Sequence, residues 1–281
     1  MAARHYCRAM SGKHHIDATA EPITRDDLCT DLRALGVAAG AALVVHASLR
    51  RIGWVVGGAE SVIRALMDVL TAEGTLVMPT FSGQLSDPAA WRDPAVPAGW
   101  VETIRGHMPP FDPARTPTRH MGAIPEAFRT WPEVYRSGHP AQSLTAWGRG
   151  AENLVSNHGL DWPLGPDSPL GRLRERSGQV LLIGVGHDRN STLHLAETGA
   201  RRRRAITRLI PIARARGGVD WVEINDVADD RGRLFPALGA AFEASGKVRT
   251  GRLGQAEARL MSQRALVDFA LPWFEQALGG T

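Results

Sequence analysis

Within about forty residues the chain carries a short apolar strand pattern, a glycine-punctuated loop, an amphipathic helix pattern and a second strand pattern. Ala42-Leu43-Val44-Val45-His46 reads as the first strand, Ala47–Gly58 as the loop, and Thr75-Leu76-Val77-Met78-Pro79 as the second strand. Between them Val62, Ile63, Leu66, Val69 and Leu70 recur at helical spacing from Ala59 to Ala72. Strand, helix, strand at this length is a βαβ unit, which requires a right-handed crossover and parallel pairing. The run Val180–Val185 has no alternation and is expected to be a strand buried on both faces. With helices read at 24–36, 122–129, 148–157, 170–176, 191–200, 234–244 and 263–278, the reading is an α/β fold. It is a single large domain with a central mixed, largely parallel sheet flanked by helices. Residues 205–212 and 219–225 read as a hairpin turning at Arg216-Gly217-Gly218.

Two segments stand outside this pattern. Residues 1–20 lack periodicity and an apolar signal core, so they read as a disordered tail before a domain at 21–281, and the protein reads as cytoplasmic. Residues 82–120 hold seven prolines with Trp91, Trp100 and Phe111, and loops this long in compact domains form lids or binding walls. No apolar run approaches the ~20 residues of a membrane span.

A net charge of +4 and a pI near 9.6 suggest a polyanion as partner. The excess is local: Arg4, Arg8 and Lys13 in the tail, and the run Arg201–Arg204. Without these the chain is mildly acidic, so nucleic acid and membrane are excluded as partners. Cys7 and Cys29 make neither a disulfide framework nor a zinc pattern, and no metal is expected.

The densest chemistry follows strand 180–185: His187, Asp188, Ser191, His194 and Glu197 within eleven residues. Ligands in open α/β sheets bind beyond the carboxyl ends of strands. Ser191, His194 and Glu197, spaced i, i+3, i+6, share one helix face. A carboxylate beside an imidazole fixes its tautomer and suits a general base. The competing reading makes Ser191 a helix cap, His194 a packed histidine and Glu197 a solvated residue. The loop around Ser48 and Gly57-Gly58, opening a helix, is a weaker candidate for anion binding. The acidic run Asp220, Glu223, Asp226, Asp229 and Asp230 is a candidate for a cation or for a solvated hairpin.

Taken together, several ordered blocks resemble the aminoglycoside 3-N-acetyltransferases. They are His46–Gly58, Gly74–Thr80, Phe111-Asp112-Pro113 with Thr116–Arg119 and Met121-Gly122, Ser137–Pro140, Gly165–Leu170, and Leu193–Glu197. The match runs from about Ile23 to Leu278. Where relatives often carry threonine this chain has Ser191, and where the first block often reads His-Ser-Ser-Leu it has Ala47. The resemblance implies acetyl transfer from acetyl-CoA to the 3-amino group of the 2-deoxystreptamine ring, conferring resistance on bacteria. It also implies a fold other than the common acetyltransferase one, whose pyrophosphate-loop pattern at Arg33–Ala38 ends a helix here instead of opening one.

Carried over, His194, Glu197 and Ser191 are the expected catalytic residues. Coenzyme A contacts are expected at Ser48, Leu49, Arg50, Val56, Gly57, Gly58, Thr80, Thr116, Thr118 and Arg119. Acceptor contacts are expected at Asp188, His139, Glu223 and Asp226. The partners implied are small molecules, with a homodimer left open. Acetylation of another small, biosynthetic amine is an alternative. A serine hydrolase or thioesterase using Ser191 or Ser168 would need a Gly-x-Ser-x-Gly elbow, which is absent.

Overall fold

The computed structural model describes residues 16, 19–228 and 232–278; the expected tail, apart from residues 16, 19 and 20, lies outside the described residues. From Thr19 onward the chain is tied to the fold. Thr19 Oγ1 accepts from Trp54 N, and Ile23 bonds along the 54–56 backbone. Helix α1 (Arg25–Leu35) opens on a capping box between Thr24 and Asp27 and closes at Gly36 in the left-handed region.

The βαβ unit follows as β1 (Ala42–Ala47), a single turn α2 (Leu49–Ile52), α3 (Ala59–Leu70) and β2 (Thr75–Pro79). Strands β1 and β2 pair in parallel, as the crossover demands. The proline-rich segment contains α4 (Val101–His107), absent from the sequence reading, and leads to α5 (Ala123–Phe128). Then come β3 (Tyr135–Arg136), β4 (Leu144–Gly148), α6 (Ala151–Val155), α7 (Pro169–Glu175) and β5 (Gln179–Ile183). The last third is α8 (Thr192–Gly199), the hairpin β6 (Ala205–Ala213) and β7 (Val219–Val227), α9 (Phe235–Glu243), β8 (Val248–Leu253), β9 (Ala256–Ser262) and α10 (Gln263–Ala277).

The main sheet has the order β3-β4-β2-β1-β5-β9-β8, with β6 and β7 forming a separate ribbon. It is mixed, but "largely parallel" needs correction. Only β1–β2 and β1–β5 are parallel; the other four pairings are antiparallel. Strand alternation divides the interior. Leu43, Val45, Leu181 and Ile183 face α1 and α3, whereas Val44, Val180 and Leu182 face α8, α9 and α10. Strand β5 is buried on both faces, as its unbroken apolar run requires.

The proline-rich segment is anchored to the β6–β7 ribbon. Trp91, Ile104 and Phe111 pack with Leu85, Met108, Val219 and Trp221, and Trp221 Nε1 donates to Arg105 O at 3.2 Å. Trp100 is not an anchor: it is 60% exposed.

Candidate active site

A cleft of about 1200 Å³ opens at the carboxyl ends of β1, β2 and β5. The chain leaves β1 toward β2 and leaves the adjacent β5 toward β9 and β8 on the other side, so the strand order reverses between β1 and β5, the topological switch point at which open sheets leave a crevice. The loop after β1 forms one wall through Ser48, Leu49, Arg50 and Gly58. Its glycines are required by geometry: Gly57 and Gly58 have φ of 78° and 61°, and a Cβ on Gly57 would meet Ser61 Oγ at 2.5 Å. The opposite wall carries Asp188, Ser191 and His194, and His120 to Ala123 close a third side.

Helix α8 holds the reactive row. His194 Nδ1 lies 2.9 Å from Glu197 Oε2, and both side chains are largely buried. A carboxylate only accepts, so Nδ1 carries the proton and Nε2 is left as the basic nitrogen. Phe235, from the start of α9, packs its ring edge-on at 4.8 Å and fixes the other side of the imidazole. Ser191 is not a cap: its backbone is already helical and its hydroxyl makes no capping bond. Asn190 does that work, its Oδ1 accepting from Thr192 N at 3.2 Å. Asn190 and Phe235 were missed in the sequence reading. An asparagine just before a helix was the one available signal; nothing local pointed to Phe235.

His187 sits behind this row. Its Nδ1 lies 3.4 Å from Asn190 Nδ2 and its Nε2 lies 3.2 Å from Glu243 Oε1. Burial lowers its pKa, partly opposed by Glu243. The ring lies against Gly239 of α9, where a Cβ would stand 2.2 Å from His187 Cγ. Gly239→Ala is therefore expected to cost about 1–3 kcal/mol through overpacking. Urea unfolding should show a lower midpoint at unchanged slope, and an unchanged midpoint would refute that packing.

The other expected site residues divide sharply. Ser48, Leu49, Arg50, Gly58 and Asp188 line the cleft; Val56 and Gly57 stand just off it, with Val56 exposed. Asp188 already pairs with Arg189 at 3.1 Å. Thr80 is corrected: it is fully buried, and its hydroxyl is spent on Ser143 O. Thr116 Oγ1 accepts from Asp112 N, and Thr118 Oγ1 donates to Glu126 at 2.7 Å, so both hold their own loop together. Arg119 donates to His120 Nε2, and it is His120 that reaches the cleft.

His139 is also corrected. It is fully buried, its Nδ1 accepting from Ala141 N and Gln142 N while Nε2 faces Leu160 O. It is a turn-holding histidine with no open face. Ser168 likewise caps α7.

The acidic run is not a continuous cation site. Alternation along β7 turns Glu223 to the face opposite Asp226, and Glu223 is exposed away from the cleft lining. Asp226 is buried and paired to Arg208 at 2.8 Å, close enough to His194 to feel its charge. Asp220 is paired with Arg214 at 2.6 Å, and Asp229 and Asp230 lie outside the described residues. Of the arginine run, Arg203 stacks over Trp162 at 4.6 Å and Arg201 N bonds Glu275, so it fixes the chain after α8.

A mixed sheet with a parallel heart, a switch-point cleft and a histidine–glutamate pair on its wall define an enzyme-type site built for proton transfer beside a bound ligand. The sequence profile of the aminoglycoside 3-N-acetyltransferases matches residues 44–275, and the chain belongs to that family. It is 44% identical to the SPbeta prophage-derived aminoglycoside N(3')-acetyltransferase-like protein YokD of Bacillus subtilis, over 93% of this chain and 96% of that protein. It is 36% identical to aminoglycoside N(3)-acetyltransferase VIII of Streptomyces fradiae, over 96% and 98%. The crystal structure of YokD superimposes with a TM-score of 0.92, at 42% identity over 96% of this chain and all (100%) of that one. AAC-IIIb, solved as a binary complex with CoASH, superimposes at 0.80, with 34% identity over 92% and 98%. The chain is an acyltransferase, and acetyl-CoA is its co-substrate. Among the described residues no helix is long and apolar enough to cross a membrane, and no group of three or more His, Cys, Asp or Glu could hold a metal.

Proposed function

We propose that the protein transfers acetyl directly from acetyl-CoA to the 3-amino group of the 2-deoxystreptamine ring of an aminoglycoside. The observation that carries this reading is the 2.9 Å contact between His194 Nδ1 and Glu197 Oε2 on the cleft wall. An aminoglycoside amine is protonated in water and must shed a proton to attack a thioester. The ammonium gives that proton up to solvent; as the neutral amine attacks, His194 Nε2 takes the second proton from its nitrogen while Glu197 stabilises the imidazolium, and Ser191 donates to the oxygen that becomes negative. The nitrogen–carbon bond forms, the carbon–sulfur bond breaks, and the proton on His194 passes to the departing thiolate. No acyl-enzyme is needed: Cys29, the cysteine among the described residues, is buried on α1 against α3.

Coenzyme A runs along Ser48, Leu49, Arg50 and Gly58, where the amino end of α3 favours its anionic groups. The acceptor enters beside Asp188, with Asp226 supplying negative potential from behind. Because acetyl-CoA is drawn from the cytosol, the enzyme works in the cytoplasm. A second reading, acetylation of a different small amine, is favoured by one observation: Asp188, Asp220 and Asp226 are already paired with arginines.

A thiol-release assay separates the two. Acetyl-CoA is incubated with 2-deoxystreptamine aminoglycosides and with simple polyamines and amino sugars, and the product is located by NMR. Release only with the aminoglycosides, and acetyl on N3, is the expected result. Release only with amines lacking the deoxystreptamine ring would overturn the substrate assignment and leave the transfer chemistry standing.

A further inference from the structure

Four histidines are buried in the described fold: His46, His139, His158 and His187. Three are held by the protein. His139 and His158 use both ring nitrogens in hydrogen bonds; His187 Nε2 makes no hydrogen bond of good geometry but stands 3.2 Å from the Glu243 carboxylate, and its Nδ1 lies 3.4 Å from Asn190 Nδ2. His46 is the exception. It is only 8% exposed, its Nε2 is shut off from solvent without a hydrogen-bond partner, and neither ring nitrogen bonds any described residue. Buried polar groups are nearly always paired, so a lone one in a cleft marks a place for a ligand atom.

Its position says which atom. His46 is the penultimate residue of β1, the strand at the switch point, and alternation puts it with Val44 on the face covered by α8 and α9. It lines the same cleft as Ser48, Ser191 and His194. His194 and His187 face it from α8 and the loop before it, with Glu197 and Glu243 behind them. Burial and the two neighbouring imidazoles push its pKa down to about 3. It therefore stays neutral where the enzyme works. It cannot serve as a second base, and it offers a ring N–H that does not compete with His194 for the substrate proton. A neutral imidazole placed this way polarises a carbonyl, as an electrophile, without transferring a proton.

We propose that His46 is a further catalytic residue, donating its ring N–H to the thioester carbonyl oxygen of bound acetyl-CoA and to the oxyanion formed on it. The inference rests on the acetyl-transfer reading above. When the amine adds to the carbonyl carbon, the carbonyl π pair moves onto oxygen, to which His46 and Ser191, both lining the cleft, supply donors. When the adduct collapses, that pair returns, the carbon–sulfur bond breaks, and the thiolate receives the proton held by His194. His46 gains and loses no proton.

The test compares wild type with His46→Leu and His46→Gln. His46→Leu should lower kcat about 10²–10³-fold, with KM for acetyl-CoA and for the amine changed by less than about threefold. The acidic limb of the kcat–pH profile should stay where it is, because His46 takes no proton in the cycle. His46→Gln, which restores an N–H, should recover at least about tenfold of the loss. The second measurement is the infrared carbonyl band of acetyl-CoA carrying ¹³C at the thioester carbon, read in the binary complex without an amine. Wild type should shift the band to lower wavenumber than in solution, and His46→Leu should abolish the shift. If His46→Leu fails to fold, the wild-type and His46→Gln bands decide the matter alone. An unshifted wild-type band, or a His46→Leu kcat within about threefold of wild type, overturns the proposal. A shifted band with no amine acetylated leaves His46 in its role and overturns the acceptor reading instead. Failure of acetyl-CoA to bind, seen by calorimetry, overturns both.

Discussion

His194→Ala should lower kcat by about 10²–10⁴-fold, the usual loss when a positioned general base is removed. The fold should survive, because the ring fills the cleft wall and is not part of the core; its side chain is 24% exposed. The alanine variant also strands Glu197, whose side chain is only 12% exposed, without its partner. His194→Asn is the cleaner control, since its amide still donates to Glu197 but cannot accept a substrate proton at neutral pH. Both variants should keep wild-type coenzyme A affinity and lose turnover alike. Glu197→Gln tests the other half of the pair. A glutamine amide can donate to Nδ1, which drives the ring proton to Nε2 and presents the cleft with the wrong tautomer. Its turnover should approach that of His194→Ala although the imidazole is intact. Turnover of His194→Ala near wild type, measured by thiol release with a saturating aminoglycoside, would remove His194 from the mechanism.

That pair was legible in the sequence because it is local. Three-residue spacing on one helix puts imidazole and carboxylate together whatever the rest of the chain does. The buried strands β1 and β5 were legible for a similar reason: unbroken apolar runs flanked by helices have few other solutions. The outer strands were not. In β8 and β9, Arg249, Arg252, Glu257 and Arg259 interrupt the apolar residues, as suits strands at and next to a sheet edge, and the Gly254-Gln255 turn between them is only two residues long. In β4 the pattern Leu144, Thr145, Ala146 and Trp147 is too short to stand out beside the helix after it.

The misassigned residues share one cause. Thr80, Thr118 and His139 carry groups that look like ligand contacts until their backbone and side-chain partners are known, and those partners come from elsewhere in the fold or from turns. His46, conversely, has the face of an ordinary strand-end residue. Its empty hydrogen-bonding capacity exists only once α8 and α9 have closed over β1.

The buried histidines have a further, measurable consequence for stability. His139 is restricted to one tautomer: Nδ1 accepts two backbone N–H groups, so a proton cannot be added there without breaking both bonds. His158 is restricted in the same way. Ser137 Oγ accepts from Leu144 N and gives its hydrogen to His158 Nδ1, while His158 Nε2 donates to Pro163 O at 2.6 Å. Their rings stand 5.1 Å apart, so charging either opposes the other. Burial lowers His46 and His139 to about 3 and His158 to about 4.

In the unfolded chain all three titrate near 6.5. Below that pH the unfolded state binds protons that the folded state refuses, so stability falls as pH falls from 6.5 toward the folded values. Each histidine contributes about 1.4 kcal/mol at one pH unit below its unfolded pKa, and three give about 4 kcal/mol between pH 7.5 and 5.5. Asp226, raised by burial, acts in the opposite sense, and Glu126, lowered by its hydrogen bonds to Arg129 and Thr118, acts in the same sense. A loss of about 4 kcal/mol is a large share of the 5–15 kcal/mol that holds a typical domain together. Urea unfolding at pH 7.5 and 5.5 should therefore give a much lower midpoint at the acid pH. The same comparison on His139→Gln should show a smaller difference, by about one histidine's share. Equal midpoints at the two pH values would mean that these rings protonate in place, with the turn at Ala141 and Gln142 rearranged to accept the charge.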